Sequence, residues 1–272
     1  MKGIMTGHSG GRFATGIAVL TLVGAACNGY DRNNPTGPGY EDSTDQATVG
    51  GALISEAAGR SGFRVFAASG EIAATLAEFR TALGAQRVIK WDGVPAGLLN
   101  VDTFPGNFFN TTAKLGALFT TDGTGFRNSN TDFSDINPDY ADEFNAFSPL
   151  VTFMPIGSAS LATTFRVPGT ETPAATRGFG IVFSDVERAG AASIKLFDAA
   201  GRSLGQFHAP VRSDPAGFSF VGVVFESPIV AEVRITAGQR ALGAGVQDLS
   251  DGGNLDLVVT DDFLFAEPQA LP

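Results

Sequence analysis

The stretch Leu255–Pro268, LDLVVTDDFLFAEP, decides the fold. Odd positions Leu255, Leu257, Val259, Phe263 and Phe265 form an apolar face, while even positions carry Asp256, Thr260 and Asp262. Alternation with a period of two is the signature of a strand. It puts Asp261 on the apolar face and Asp262 at an exposed strand end. A carboxylate on a core face needs a cation, an arginine such as Arg234 or Arg166, or backbone N–H donors, because an unpaired buried charge costs several kcal/mol or takes up a proton. Val258 is apolar as well, which suits a strand covered on both faces.

Outward from this strand the same period recurs. RVIKW, LGALFT, PLVTFM, SLATTFRV, FGIVFSDV, SIKLFDA, SLGQFHA, FSFVGVVFE and IVAEVRIT all read as strands after Gly84. Turn signals at Asp198–Gly201, Asp214-Pro215 and Asp251–Gly253 separate them. No strand alternates with a helix of similar length, so the pattern predicts an all-β fold, an antiparallel two-sheet sandwich of jelly-roll type. One amphipathic helix precedes it. In ASGEIAATLAEFRTALG, Ser69 is the candidate cap, Glu71 lies in the first turn, and Ile72, Leu76, Phe79 and Leu83 share a face before Gly84 ends the helix.

The composition agrees. With 272 residues, 43% apolar and 17% charged, the chain can bury a large core, and 23 Phe with 35 Gly suit short strands joined by tight turns. Residues 1–26 hold Lys2 and Arg12, no acid, and the short apolar run FATGIAVLTLVGAA, the pattern of an export signal. Residues 27–51 read as a flexible linker rich in Gly, Pro, Asn, Asp and Thr, residues 52–84 as a segment containing the helix, 85–268 as the sandwich and 269–272 as a tail. Loss of the leader removes two of 18 basic residues and none of the 28 acidic ones, moving the formal charge from −10 to −12. Such a chain repels phosphate backbones, which excludes nucleic acid, and it repels anionic membrane surfaces.

Cys27, the only cysteine, allows no internal disulfide and no thiolate zinc site. LVGAAC, ending at Cys27, resembles the lipobox of bacterial lipoproteins, although Gly24 stands where Leu is usual. The resemblance implies lipidation of Cys27 and a membrane contact through that lipid. The alternative is ordinary secretory cleavage beside an incidental cysteine.

Several segments, among them IKWDGVPAG, NFFNTT, GALFTTDGTGF, SIKLFDAAGRSLG, IVAEVRITAG and LDLVVTDDFLFAEP, together resemble a family of exported bacterial proteins. Many members of that family end in a Pro-Glu-Pro sorting signal. The resemblance spans about Phe79 to Pro268 and implies export without an established reaction. No hydrophobic C-terminal anchor follows here, so attachment through Cys27 is the expectation. More distantly, a late strand with Asp-Asp is similar to the closing strand of jelly-roll carbohydrate-binding modules, some of which hold calcium there. That similarity makes Asp261, Asp262 and Asp92 candidate calcium ligands.

Calcium suits this composition, since it takes hard oxygen ligands and needs neither His nor Cys, and no other cofactor is expected. Asp135, Asn137 and Asp139 have one-three-five spacing, but Tyr140 and Ala146 stand where an EF-hand needs Gly and Glu. A solvated acidic loop is the plainer account of that stretch. Trp91, Tyr140, Asp135 and Asp139 are candidate ligand-binding residues, with a core role the simpler reading for Trp91. Once the leader is removed, His208 is the only histidine and no Gly-x-Ser-x-Gly elbow accompanies it, which argues against a serine hydrolase. The expected function is a non-enzymatic cell-surface protein that binds extracellular glycan or builds the envelope or matrix. The alternative is a secreted polysaccharide hydrolase using paired carboxylates.

Overall fold

The computed structural model describes residues 47–49, 52–56, 62–212, 214 and 217–272, the first two stretches as strand backbone. Residues 1–26, read from the sequence as an export signal, Cys27 and most of the stretch read as a linker lie outside the described residues. The described chain is an all-β sandwich of two antiparallel sheets.

The first sheet runs in the order β1 (Ala47–Val49), β2 (Ala52–Glu56), β12 (Ser203–His208), β11 (Ala192–Phe197), β14 (Glu232–Ala237), β8 (Ser160–Arg166), β9 (Pro173–Ala175) and β16 (Gln269–Ala270), with β5 (Ala117–Thr120) also on β8. The second runs β3 (Phe63–Ser69), β13 (Phe218–Phe225), β10 (Gly178–Ser184), β15 (Val259–Ala266), β7 (Thr152–Ile156) and β6 (Gly125–Ser129), with β4 (Gln86–Ile89) also on β15. Residues 47–69 therefore contribute strands to both sheets, and residues 269–270 pair with β9. The fold unit extends beyond residues 85–268 at both ends.

Two apolar layers hold the fold. Between the sheets lie Trp91, Phe119, Phe153, Phe179, Ile194, Phe207, Ile235 and Phe263. On the far side of the second sheet, helix α1 (Ala73–Leu83) buries Leu76, Phe79 and Leu83 against Phe66, Val182, Phe220, Val224 and Leu264. Phe263 and Phe265 face one layer and Leu264 and Ala266 the other, so β15 is apolar on both faces because both are covered. The helix begins later than its cap signal implied. Ser69 ends β3, Ile72 takes the N-cap position without a side-chain bond, and Glu71 precedes the first turn. Gly84, at φ +72°, terminates it.

Alternation breaks in the middle of β15. Ile181 pairs with Phe263 but Phe183 with Thr260, so Asp261 and Asp262 together oppose the single Val182. This is a β-bulge. It removes the premise that Asp261 shares a face with Val259 and Phe263. On its other edge β15 changes partner at the same point, from β4 at Phe263–Ala266 to β7 at Thr260.

Candidate functional site

Both bulge aspartates are buried, which corrects the expectation of a solvated Asp262. The Asp261 carbonyl, released from the ladder, accepts Trp91 Nε1–H at 2.9 Å, and its Oδ2 accepts the Phe147 amide at 2.6 Å. Ser148 Oγ lies 3.0 Å from Asp261 Oδ1 and 3.0 Å from the Lys90 carbonyl. One hydroxyl proton can serve only one of these acceptors, so a proton on Asp261 completes the set. Burial, reinforced by the charge of Asp262, raises the Asp261 carboxyl to about 8 against the opposing pull of Phe147 and Ser148. Burial also raises Asp262, whose Oδ2 is 3.8 Å from Arg80 Nη2.

Asp261 is therefore held by chain donors, and Asp92 is exposed on the turn after Trp91. The proposed calcium trio of Asp261, Asp262 and Asp92 does not converge. Trp91 is not a sugar platform either. At φ +68° it turns inward and stacks on Phe153 at 3.8 Å with 12° between planes. Tyr140 is fully buried, donating to the Val246 carbonyl at 2.8 Å. Asp135 is ion-paired with Arg127, and Asp139 is exposed on the short 3₁₀ turn Pro138–Asp142.

The carboxylates that do converge come from three loops at one end of the sandwich. The turn after β10 carries Asp185, at φ +69°, and Glu187, while the β14–β15 connection carries Asp248 and Asp256. The segment before β7 brings Glu143, and that segment is pinned by Tyr140 Oη and Asn137 Nδ2, which donate to the Val246 carbonyl at 2.8 and 3.1 Å. Glu143, Asp185 and Asp248 place carboxylate oxygens within 4.8 Å of one another, as do Glu187, Asp248 and Asp256. Asp248 is common to both trios.

The donors around this cluster are few. Leu257 N–H donates to Asp248 Oδ1 at 2.6 Å and Ser250 N–H to its Oδ2 at 2.7 Å. Ser250 Oγ reaches Glu143, and the amides of Glu187 and Arg188 donate to Asp256 Oδ2 at 3.0 and 2.5 Å. Arg212 bridges the two trios, with Nε 2.5 Å from Asp185 Oδ1 and Nη2 2.6 Å from Glu187 Oε1. Arg188 turns its guanidinium to Gln239 Oε1 and the Asn254 carbonyl instead.

The electrostatic result follows. Burial, then the proximity of Glu143, raises Asp185 to about 9 despite Arg212. Burial and Asp248 raise Glu187 to about 7, and burial raises Asp256 to about 6 against two backbone amides. All five side chains offer hard oxygen atoms of the kind calcium takes. Sequence reading passed over this set because its members are scattered from residue 143 to residue 256 with no fixed spacing.

A second feature lies on the first sheet. A groove of about 410 Å³ crosses β5, β8 and β14, lined by Thr120, Thr121, Asp122, Ser160, Leu161, Ala162, Glu232 and Arg234. Glu232 Oε1 is 2.6 Å from Arg234 Nε, whose guanidinium covers the Phe197 ring at 4.5 Å.

No protein-family model matches the chain, and no curated protein does. Among solved structures it is similar to the enzymatically active domain of tailspike protein 4 of bacteriophage CBA120. That likeness is at 18% identity, over 53% of this chain and 21% of that one, with a TM-score of 0.17. At that level it carries no argument about fold or chemistry. The chain spans about a fifth of that structure's length.

Proposed function

We propose that this protein is exported, is tethered at the cell surface through lipid on Cys27, and acts by binding extracellular glycan rather than by catalysis. The groove on the first sheet carries this reading. Its hydroxyls at Thr120, Thr121 and Ser160, with the Glu232–Arg234 pair, form the mix of donors and acceptors that sugar hydroxyls require. No aromatic ring lines it, so recognition rests on hydrogen bonds rather than on stacking.

The carboxylates pushed well up in pKa, Asp185, Glu187, Asp256 and Asp261, lie outside the groove, and Glu232 within it is engaged by Arg234. A hydrolase would need a raised acid facing its substrate. Asp122 and Glu232 are the pair such an enzyme would have to use. A glycan-array screen of the full chain tests the reading. Binding that falls about tenfold or more in Arg234→Ala, which removes a charge-assisted donor, is the expected result. Silence across the array overturns it, and release of new reducing ends from a bound glycan would replace it with the hydrolase.

A further inference from the structure

We infer that the carboxylate pocket centred on Asp248 is a calcium site that clamps three loops of the sandwich together. Five carboxylates meet there, and among the described residues Arg212 is the one cation seen bonded to them. Desolvated carboxylates this close can be ionised together only with compensation beyond Arg212, and otherwise take up protons.

The unfilled valences point to the same ligand. Asp256 is fully buried, and its Oδ1 has no hydrogen-bond donor although Oδ2 has two. Asp185 is fully buried and its Oδ2 has none. Glu187 Oε2 is likewise without a donor. The residues that carry these oxygens belong to the two trios, in each of which one oxygen per carboxylate already lies within the span of one coordination sphere. The side chains are thus oriented by second contacts, with acceptor atoms left over for an ion.

The chemistry selects calcium. The donors are oxygen alone, which disfavours zinc and copper. They arrive on loops, in irregular array and mostly as carboxylates, whereas magnesium demands a near-ideal octahedron and keeps several waters. Glu187, the least buried of the five, leaves room for the water ligands that complete six to eight coordination. The clamp joins the residue 143 segment, the turn after β10 and the β14–β15 connection, elements otherwise linked by a handful of hydrogen bonds.

The test is equilibrium dialysis of the chelator-stripped full chain against radioactive calcium, paired with thermal melts in calcium and in chelator. At least one ion bound per chain with Kd below about 1 mM is expected, within the extracellular range, together with a melting temperature that rises with calcium. Glu187→Gln and Asp256→Asn should each weaken Kd roughly tenfold or more, and Asp135→Asn, a surface control, should leave it unchanged. Should Asp256→Asn fail to fold, the partly exposed Glu187→Gln decides. No retained calcium at millimolar concentration, equal binding of magnesium, or an unchanged Kd in Glu187→Gln would each overturn the site.

Discussion

Gly180 and Gly222 are direct cross-strand partners on β10 and β13, and together they form the floor on which the Phe79 ring rests. A Cβ at Gly180 would lie 2.6 Å from Phe79 Cε1, and one at Gly222 2.7 Å from Cε2. The ring packs edge-on against Phe66 at 5.5 Å and Phe220 at 5.2 Å, so it has nowhere to retreat. Gly222→Ala should therefore lift α1 and cost about 1–3 kcal/mol, as overpacking does. Phe79→Leu combined with Gly222→Ala should recover part of that loss, and urea midpoints of the three variants measure it.

Much of this was legible beforehand. Ten strands, the helix face of Ile72, Leu76, Phe79 and Leu83, and the Asp198–Gly201 hairpin turn follow from local periodicity and turn chemistry. What escaped depends on tertiary pairing. β6, GFRNS, is not among the strands that alternation picks out, yet Arg127, Asn128 and Ser129 are buried in it. The β15 bulge leaves no local mark, so strict alternation put Asp262 in solvent although it is buried beside Asp261. The Asp248 pocket is assembled by three loops and has no spacing to read.

The Asp261 carboxyl should make stability depend on pH. Its folded value, about 8, lies above the ordinary 3.8, so between these limits the folded chain holds a proton that the unfolded chain has released. That contribution is complete below about pH 4 and is lost as pH rises through 8, with a slope of up to about 1.4 kcal/mol per pH unit. Asn reproduces the protonated geometry, its carbonyl facing Phe147 N–H and its amide facing Ser148. Asp261→Asn should flatten the slope and exceed wild type in stability at pH 8.5. Parallel pH profiles for the two proteins would refute the protonated assignment.

Trp91 reports on the same junction. It is the only tryptophan, it is 1% exposed, and its indole N–H satisfies the bulge carbonyl. Its emission should be blue-shifted, resist acrylamide and stay constant when a glycan binds. Trp91→Phe keeps most of the ring packing but orphans that carbonyl, at a cost of about 1–3 kcal/mol. Emission that responds to saccharide would return Trp91 to the ligand-binding set.

Lipid attachment is separable from all of this. Wild type should partition with membranes and Cys27→Ser with the soluble fraction, while both retain the same melting temperature. Equal partitioning of the two forms would remove the anchor from the functional reading without touching the groove.

Arg212 offers a sharper probe of the carboxylate pocket than any acid. Its guanidinium, 11% exposed, bridges Asp185 at 2.5 Å and Glu187 at 2.6 Å, one residue from each trio. Arg212→Met keeps the aliphatic stem and deletes the charge. In chelator the pocket is then left with acids alone, and breaking a buried pair in this way costs about 3–5 kcal/mol. Calcium supplies the missing positive charge if the ion binds there, so most of the loss should return when it is added, and the gap between melts in calcium and in chelator should be wider for Arg212→Met than for wild type. Repulsion between Arg212 and the ion is also relieved, which should tighten calcium binding in the variant. A variant destabilised equally in calcium and in chelator would mean that Arg212 alone, with protons on Asp185 and Glu187, neutralises the pocket.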